Sequence, residues 1–177
     1  MRRELGLLTI ALVLTTARLA LAEEMPVNSE QQCTMFKRIF AYDKHLRDSD
    51  KIVVLVVGAT NDGSGVTAVA DAFRSNGMYP AAVTVDTLNA DLSATLSPQS
   101  TVVYVMPDVD FDAVNRFAES RSFLSVSGLP SLAESGRVSV SVDMDGSRPE
   151  VVVNMPRLSA EGHELSSELL KLARVIR

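Results

Sequence analysis

Hydrophobic positions recur along this chain with two different periods, and the places where the period changes mark its expected elements. The pattern is clearest in the C-terminal third, from Phe123 to Ile176. Val138, Val140, Val142 and Met144 alternate there with Ser139, Ser141 and Asp143, which predicts a strand with one apolar and one polar face. Asp145 and Gly146 tolerate positive φ, and Val151 to Met155 runs back, so a tight hairpin is expected. Leu165, Leu169, Leu172 and Ile176 then repeat at i, i+4, i+7 and i+11, one stripe of a long amphipathic helix.

Upstream, Asn28 or Ser29 can cap a first helix that the spacing carries to about Leu46. Cys33, Phe36 and Phe40, flanked by Met35, Ile39, Tyr42 and Leu46, form its apolar side, with Lys37, Arg38, Lys44 and Arg47 opposite. Ile52 to Val57 is a continuous β-branched run, the mark of a strand buried on both faces. A helix from about Ser64 to Asn76 follows, with Gly77 at its C-terminal cap. Ala82 to Val85 reads as a second strand, and Leu88, Leu92 and Leu96 as a short helix closed by Pro98. Thr101 to Met106 is a third strand, and Asp108 or Asp110 caps a helix reaching about Ser120. Ser122 to Val126 is the fourth strand, and Leu129 to Ser135 a brief helix stopped by Gly136.

Strands and helices alternating at this spacing imply right-handed crossovers. The expected fold class is α/β: three layers, a mostly parallel sheet, a C-terminal antiparallel hairpin edge and flanking helices. Residues 31–177 form one domain behind a polar, flexible leader at 23–30.

The first 22 residues have the form of a signal peptide. Arg2 and Arg3 precede the apolar run Leu5 to Val13, and Ala20-Leu21-Ala22 is a small-x-small cleavage site. Arg18 breaks the apolar stretch, so a spanning helix is not expected and the cleaved chain should not cross the membrane. Export implies a periplasmic protein, with secretion as the alternative. The formal charge is −5, and Arg2, Arg3, Arg18 and Glu4 contribute +2, leaving about −7 after cleavage. That balance, with no tryptophan for base stacking, argues against a nucleic-acid partner. Cys33 is the only cysteine; it reads as an inert core thiol, although a lone thiol also leaves a homodimer open.

Candidate chemistry is sparse. Gly58 to Gly65 joins a buried strand to a helix, where phosphates often sit, but it lacks the P-loop lysine and the G-x-G-x-x-G spacing. A ligand crevice, if the chain has one, falls at Thr60, Asn61, Asp62 and Ser64 together with Asp108 and Asp110, at the carboxyl ends of parallel strands. Asp108, Asp110 and Asp112 open like a calcium loop, but Ala113 stands where that loop needs glycine, and a helix N-terminus explains the acids. His45 and His163 are expected at the surface, without a ligand at helical spacing. No catalytic residue, cofactor or metal is expected.

The segment F-L-S-V-S at Phe123 to Ser127, Gly136 before the next strand, Val153-Asn154-Met155, and above all Leu165 to Ala173 (LSSELLKLA) resemble the YfiR family of small exported proteins. The first helix, with Phe36, Ile39, Phe40 and Tyr42, is similar more loosely. The resemblance implies a periplasmic, non-catalytic regulator that binds and inhibits the periplasmic part of a membrane-anchored diguanylate cyclase, lowering cyclic-di-GMP and biofilm formation. A periplasmic small-molecule binding module serving a receptor or transporter is the alternative. The chain departs from the family pattern at Gly128, where an aspartate is usual, in lacking one glycine of a usual pair, and in having neither the family's disulfide cysteines nor its tryptophan-proline after the first helix.

Overall fold

A computed structural model describes residues 25–59, 63–88, 92 and 94–177, and of Ser64 the backbone alone. The signal peptide expected at 1–22 lies outside the described residues, as do Asn89, Ala90, Asp91 and Ser93 of the short helix expected at Leu88 to Leu96.

The elements run α1 (Ser29–Phe40), β1 (Val53–Gly58), α2 (Gly63–Ser75), β2 (Tyr79–Thr84), β3 (Thr101–Val105), α3 (Phe111–Arg121) and β4 (Leu124–Ser127). They continue with α4 (Pro130–Glu134), β5 (Val140–Asp145), β6 (Arg148–Asn154), α5 (Met155–Ala160), α6 (Ser167–Leu170) and β7 (Arg174–Ile176). The seven strands lie in the order β2-β1-β3-β4-β5-β6-β7. Every pairing is parallel except β5 with β6.

Burial on both faces explains the β-branched runs. In β1, Val54 and Val56 enter a core with Phe36, Phe40, Phe73 and Tyr104, whereas Leu55 and Val57 enter a second core with Val114, Phe117 and Leu132. The helices α1 and α2 therefore cover one face, α3 and α4 the other, and the architecture is the expected three-layer α/β. Helix ends follow local chemistry. Asn28 caps α1 by accepting from the Gln31 N–H, and Asp110 caps α3 by accepting from the N–H groups of Asp112 and Ala113. Gly77, Gly136 and Gly146 take φ of 79°, 74° and 60° where two helices and the hairpin turn.

Four expectations change. The first helix stops at Phe40, not Leu46, because Asp43 turns its carboxylate onto the His45 and Leu46 N–H groups and holds the chain in turns. Part of the leader is core: Val27 is buried, and its carbonyl accepts from the buried Gln32 amide. The polar face expected of Val138 to Met144 is not solvated, since Ser139 and Ser141 are fully buried, as are Ser125 and Ser127 of β4.

The long C-terminal helix does not form. Leu165 makes an antiparallel bridge to Asp43, α6 lasts four residues, and Leu172 is 82% exposed. The chain instead adds β7 to β6, pairing Val152, Val153 and Asn154 with Arg174, Val175 and Ile176. The hairpin thus has its outer strand covered, since an open β6 edge leaves backbone groups unpaired.

Candidate functional site

The strand order 2-1-3-4-5 places a topological switch between β1 and β3, whose carboxyl ends flank the usual ligand crevice of such sheets. Of the residues expected there, Thr60, Asn61 and Asp62 and the Ser64 side chain lie outside what the structure describes. Asp108 takes φ of 62°, and Asp110 is committed to its capping role. The two loops do leave neighbouring strands, since the Met106 N–H donates to the Val57 carbonyl. An open cavity of about 320 Å³ borders the first loop on its β2 side, lined by Gly58, Ala59, Gly63, Thr67, Thr84 and Thr87.

The densest chemistry lies elsewhere, where the turn after α1 meets the segment after α5. Lys44 N–H donates to the Glu164 carbonyl at 3.0 Å and Ser166 N–H to the Tyr42 carbonyl at 2.9 Å, so backbone bonds lace the two segments together. Inside that seam His163 Nδ1 lies 3.0 Å from Asp43 Oδ2, and Nε2 lies 2.9 Å from the Ser122 carbonyl. Both partners are acceptors, so both ring nitrogens carry protons and the buried ring is an imidazolium. Burial pulls the His163 pKa down, but the hydrogen bond and charge of Asp43, with the Ser122 carbonyl, outweigh it and leave it raised. Burial likewise pushes Asp43 up, while His163 and two backbone N–H groups hold it below the usual carboxylate range.

His163 is therefore not at the surface as expected, because this ion pair repays its desolvation. His45 is exposed, and its ring meets His163 edge-on at 5.1 Å between centroids. No ligand stands at helical spacing from either histidine, yet the fold brings ligating atoms of Asp43, His45 and His163 within 4.8 Å of one another. The pairing spans 120 residues, so no spacing in the sequence signals it. Beside it opens a cleft of about 530 Å³, whose lining includes Met155, Leu158, Leu165 and Leu170 along with both histidines.

A second buried network supports the same segment. Glu161 accepts from the Ser125 N–H, the Ser125 and Ser139 hydroxyls and the Arg157 guanidinium, the last at 3.0 Å. Arg157 also reaches Glu119 and the Asn115 carbonyl on α3. Burial raises the Glu161 pKa against these donors. At the sheet edge, Arg174 of β7 holds Glu134, Asp143 and Glu150. Cys33 is fully buried as expected, and desolvation pushes its thiol up to about 12.

Two solved structures share the fold. An ABC domain from Streptococcus pneumonia in complex with L-Trp aligns with a TM-score of 0.58 at 14% identity, over 84% of this chain and 60% of that one. A conserved domain protein from Vibrio cholerae O1 biovar El Tor aligns with a TM-score of 0.55 at 14% identity, over 84% of this chain. This chain spans 60% of the length of both. No curated protein matches it. The family comparison, in contrast, covers nearly all of the domain, from the end of α1 through the hairpin to the first residue of β7. Residues 40–174 match the YfiR/HmsC-like family, and the chain belongs to that family.

Proposed function

We propose that this chain is an exported, non-catalytic regulator that binds and inhibits the periplasmic part of a membrane-anchored diguanylate cyclase. The family match over residues 40–174 carries the reading. The chemistry of the seam agrees with it. Both ring nitrogens of His163 face protein acceptors, the Asp43 carboxylate and the Ser122 carbonyl, so in this state the ring holds two chain segments together. Among the described residues no helix is long and apolar enough to cross a membrane.

The docking face we assign is the cleft beside the two histidines, since Met155, Leu158, Leu165 and Leu170 give it apolar walls. The first helix is not that face: Cys33, Phe36, Ile39 and Phe40 are spent on the core. Large exposed apolar side chains among the described residues are Tyr42, Tyr79 and Leu172.

The test is affinity capture from detergent-solubilised membranes, with residues 23–177 as bait. Recovery of one membrane protein that synthesises cyclic-di-GMP, lost when Leu170→Glu charges the cleft, supports the reading. Recovery of no such protein under gentle detergent refutes it.

One observation favours a second reading, a small-molecule binding module. The 320 Å³ cavity lies at the carboxyl ends of β1 and β2, and the fold is shared with a domain whose structure holds L-Trp. Under that reading a ligand screen raises the melting temperature and Thr84→Val abolishes the rise.

A further inference from the structure

The Asp43, His45 and His163 cluster has a composition that the regulatory reading does not use. We propose that these three side chains form a binding site for a zinc-like divalent transition metal, which clamps the turn after α1 to the segment after α5.

Two imidazoles and one carboxylate make a donor set suited to zinc and its first-row neighbours, and poorly suited to magnesium or calcium. The ligating atoms already lie within 4.8 Å of one another. Metal bonds of about 2.0–2.1 Å at tetrahedral angles place ligands about 3.4 Å apart. Asp43 Oδ2 and His163 Nδ1, at 3.0 Å, are close to that separation without any movement. The remaining gap belongs to His45, which is exposed and closes it by a side-chain rotation.

The surroundings orient the ligands. His163 Nε2–H donates to the Ser122 carbonyl at 2.9 Å, the outer hydrogen bond that metal-binding histidines characteristically make. It leaves Nδ1 as the ligating atom. Asp43 Oδ1 accepts from the His45 and Leu46 N–H groups at 2.8 and 3.1 Å, which fixes the carboxylate and turns Oδ2 toward the ring. The Asp43–Leu165 bridge and the flanking backbone bonds hold both ligand-bearing segments in register. His45, His163 and Leu165 line the 530 Å³ cleft, so a fourth position opens to solvent and accepts a water.

In the metal-free protein a proton occupies His163 Nδ1 and bonds to Asp43. Metal binding replaces it: one nitrogen–metal and one oxygen–metal bond form on these two residues, and the Nδ1 proton leaves to water. Lys44 and Glu164 pair with each other at the exposed rim, at 2.6 Å, and neither has to move.

The experiment is a zinc titration of the untagged protein against a chromophoric chelator at neutral pH. The chain has only two histidines and one cysteine, and Cys33 is buried, so background sites are few. The expected result is one zinc per chain, no competition from magnesium, and affinity weakened about 100-fold or more in His45→Ala. Because His45 is exposed, that variant keeps the fold, which circular dichroism verifies. Cobalt(II) gives a second readout: visible d–d bands of a low-coordinate nitrogen–oxygen site in the wild type, absent from His45→Ala. Zinc also raises the melting temperature of the wild type and not of the variant. Failure of the wild type to bind zinc stoichiometrically overturns the proposal. So does zinc binding or a cobalt spectrum that His45→Ala leaves unchanged.

Discussion

Gly128→Ala is the smallest substitution this fold should resist strongly. Gly128 does not adopt positive φ, so its backbone accepts an alanine and the penalty is steric alone. A methyl group there would stand on the Gln32 side-chain amide, well inside contact distance of Oε1, Cδ and Nε2. Gln32 has nowhere cheap to go. It is 1% exposed, its Oε1 accepts from the buried Tyr104 hydroxyl at 2.7 Å, and its Nε2 donates to the Val27 carbonyl.

Overpacking costs about 1–3 kcal/mol, and displacing the amide from two buried partners adds a comparable term. We expect a loss of about 3 kcal/mol, or about 6–12 °C in melting temperature for a domain of this size. Urea denaturation of the four proteins of a double-mutant cycle measures it. Gln32→Ala alone should cost about 2–3 kcal/mol, by removing the oxygen that accepts from the Tyr104 hydroxyl and the amide that donates to the Val27 carbonyl. In that background Gly128→Ala should cost less than about 1 kcal/mol, because the obstructing atoms are gone. Losses that add to within about 0.5 kcal/mol would refute the argument, since they would mean the two sites do not touch.

Three further outcomes are expected. Cys33 should resist a thiol reagent at mildly alkaline pH in the folded protein and react at once in denaturant, because the thiolate is suppressed by a pKa of about 12. Arg157→Met should cost about 3–5 kcal/mol near neutrality by stranding the buried Glu161 carboxylate. A carboxyl whose folded pKa lies above its unfolded value binds protons better when folded, so stability falls as pH rises past the unfolded value; the Arg157→Met deficit should therefore shrink on acidification, as urea curves at two pH values would show. Arg174→Ala should leave Glu134, Asp143 and Glu150 facing one another, costing about 1 kcal/mol at low salt and less at high salt, measurable by melting.

The central strands were legible because burial on both faces leaves a compositional trace: Val53 to Val57 and Thr101 to Val105 read as strands without context. Two features deceived the pattern. Ser139 and Ser141 alternate with valines as a solvated face would, yet Ser139 is buried because Glu161 arrives from 22 residues away to accept a hydrogen bond from its hydroxyl. Leu165, Leu169 and Leu172 keep helical spacing, but helix propensity there competes with an unpaired β6 edge, and the edge wins after one turn. The seam was unreadable for a different reason. Asp43 and His163 meet only because α5 and the β6–β7 connection return the chain across the end of α1, a consequence of topology that no local spacing records.

The central claim, repression of a diguanylate cyclase from the periplasm, is tested most directly by the cyclic-di-GMP content of cells. It should be compared between cells lacking this protein, cells with it restored, and cells carrying the restored protein with Leu170→Glu. Cyclic-di-GMP should rise on deletion, return to the starting level on restoration, and stay high with the charged variant despite its normal abundance. An unchanged or lowered cyclic-di-GMP level on deletion, with the cyclase present, would rule out repression by this protein.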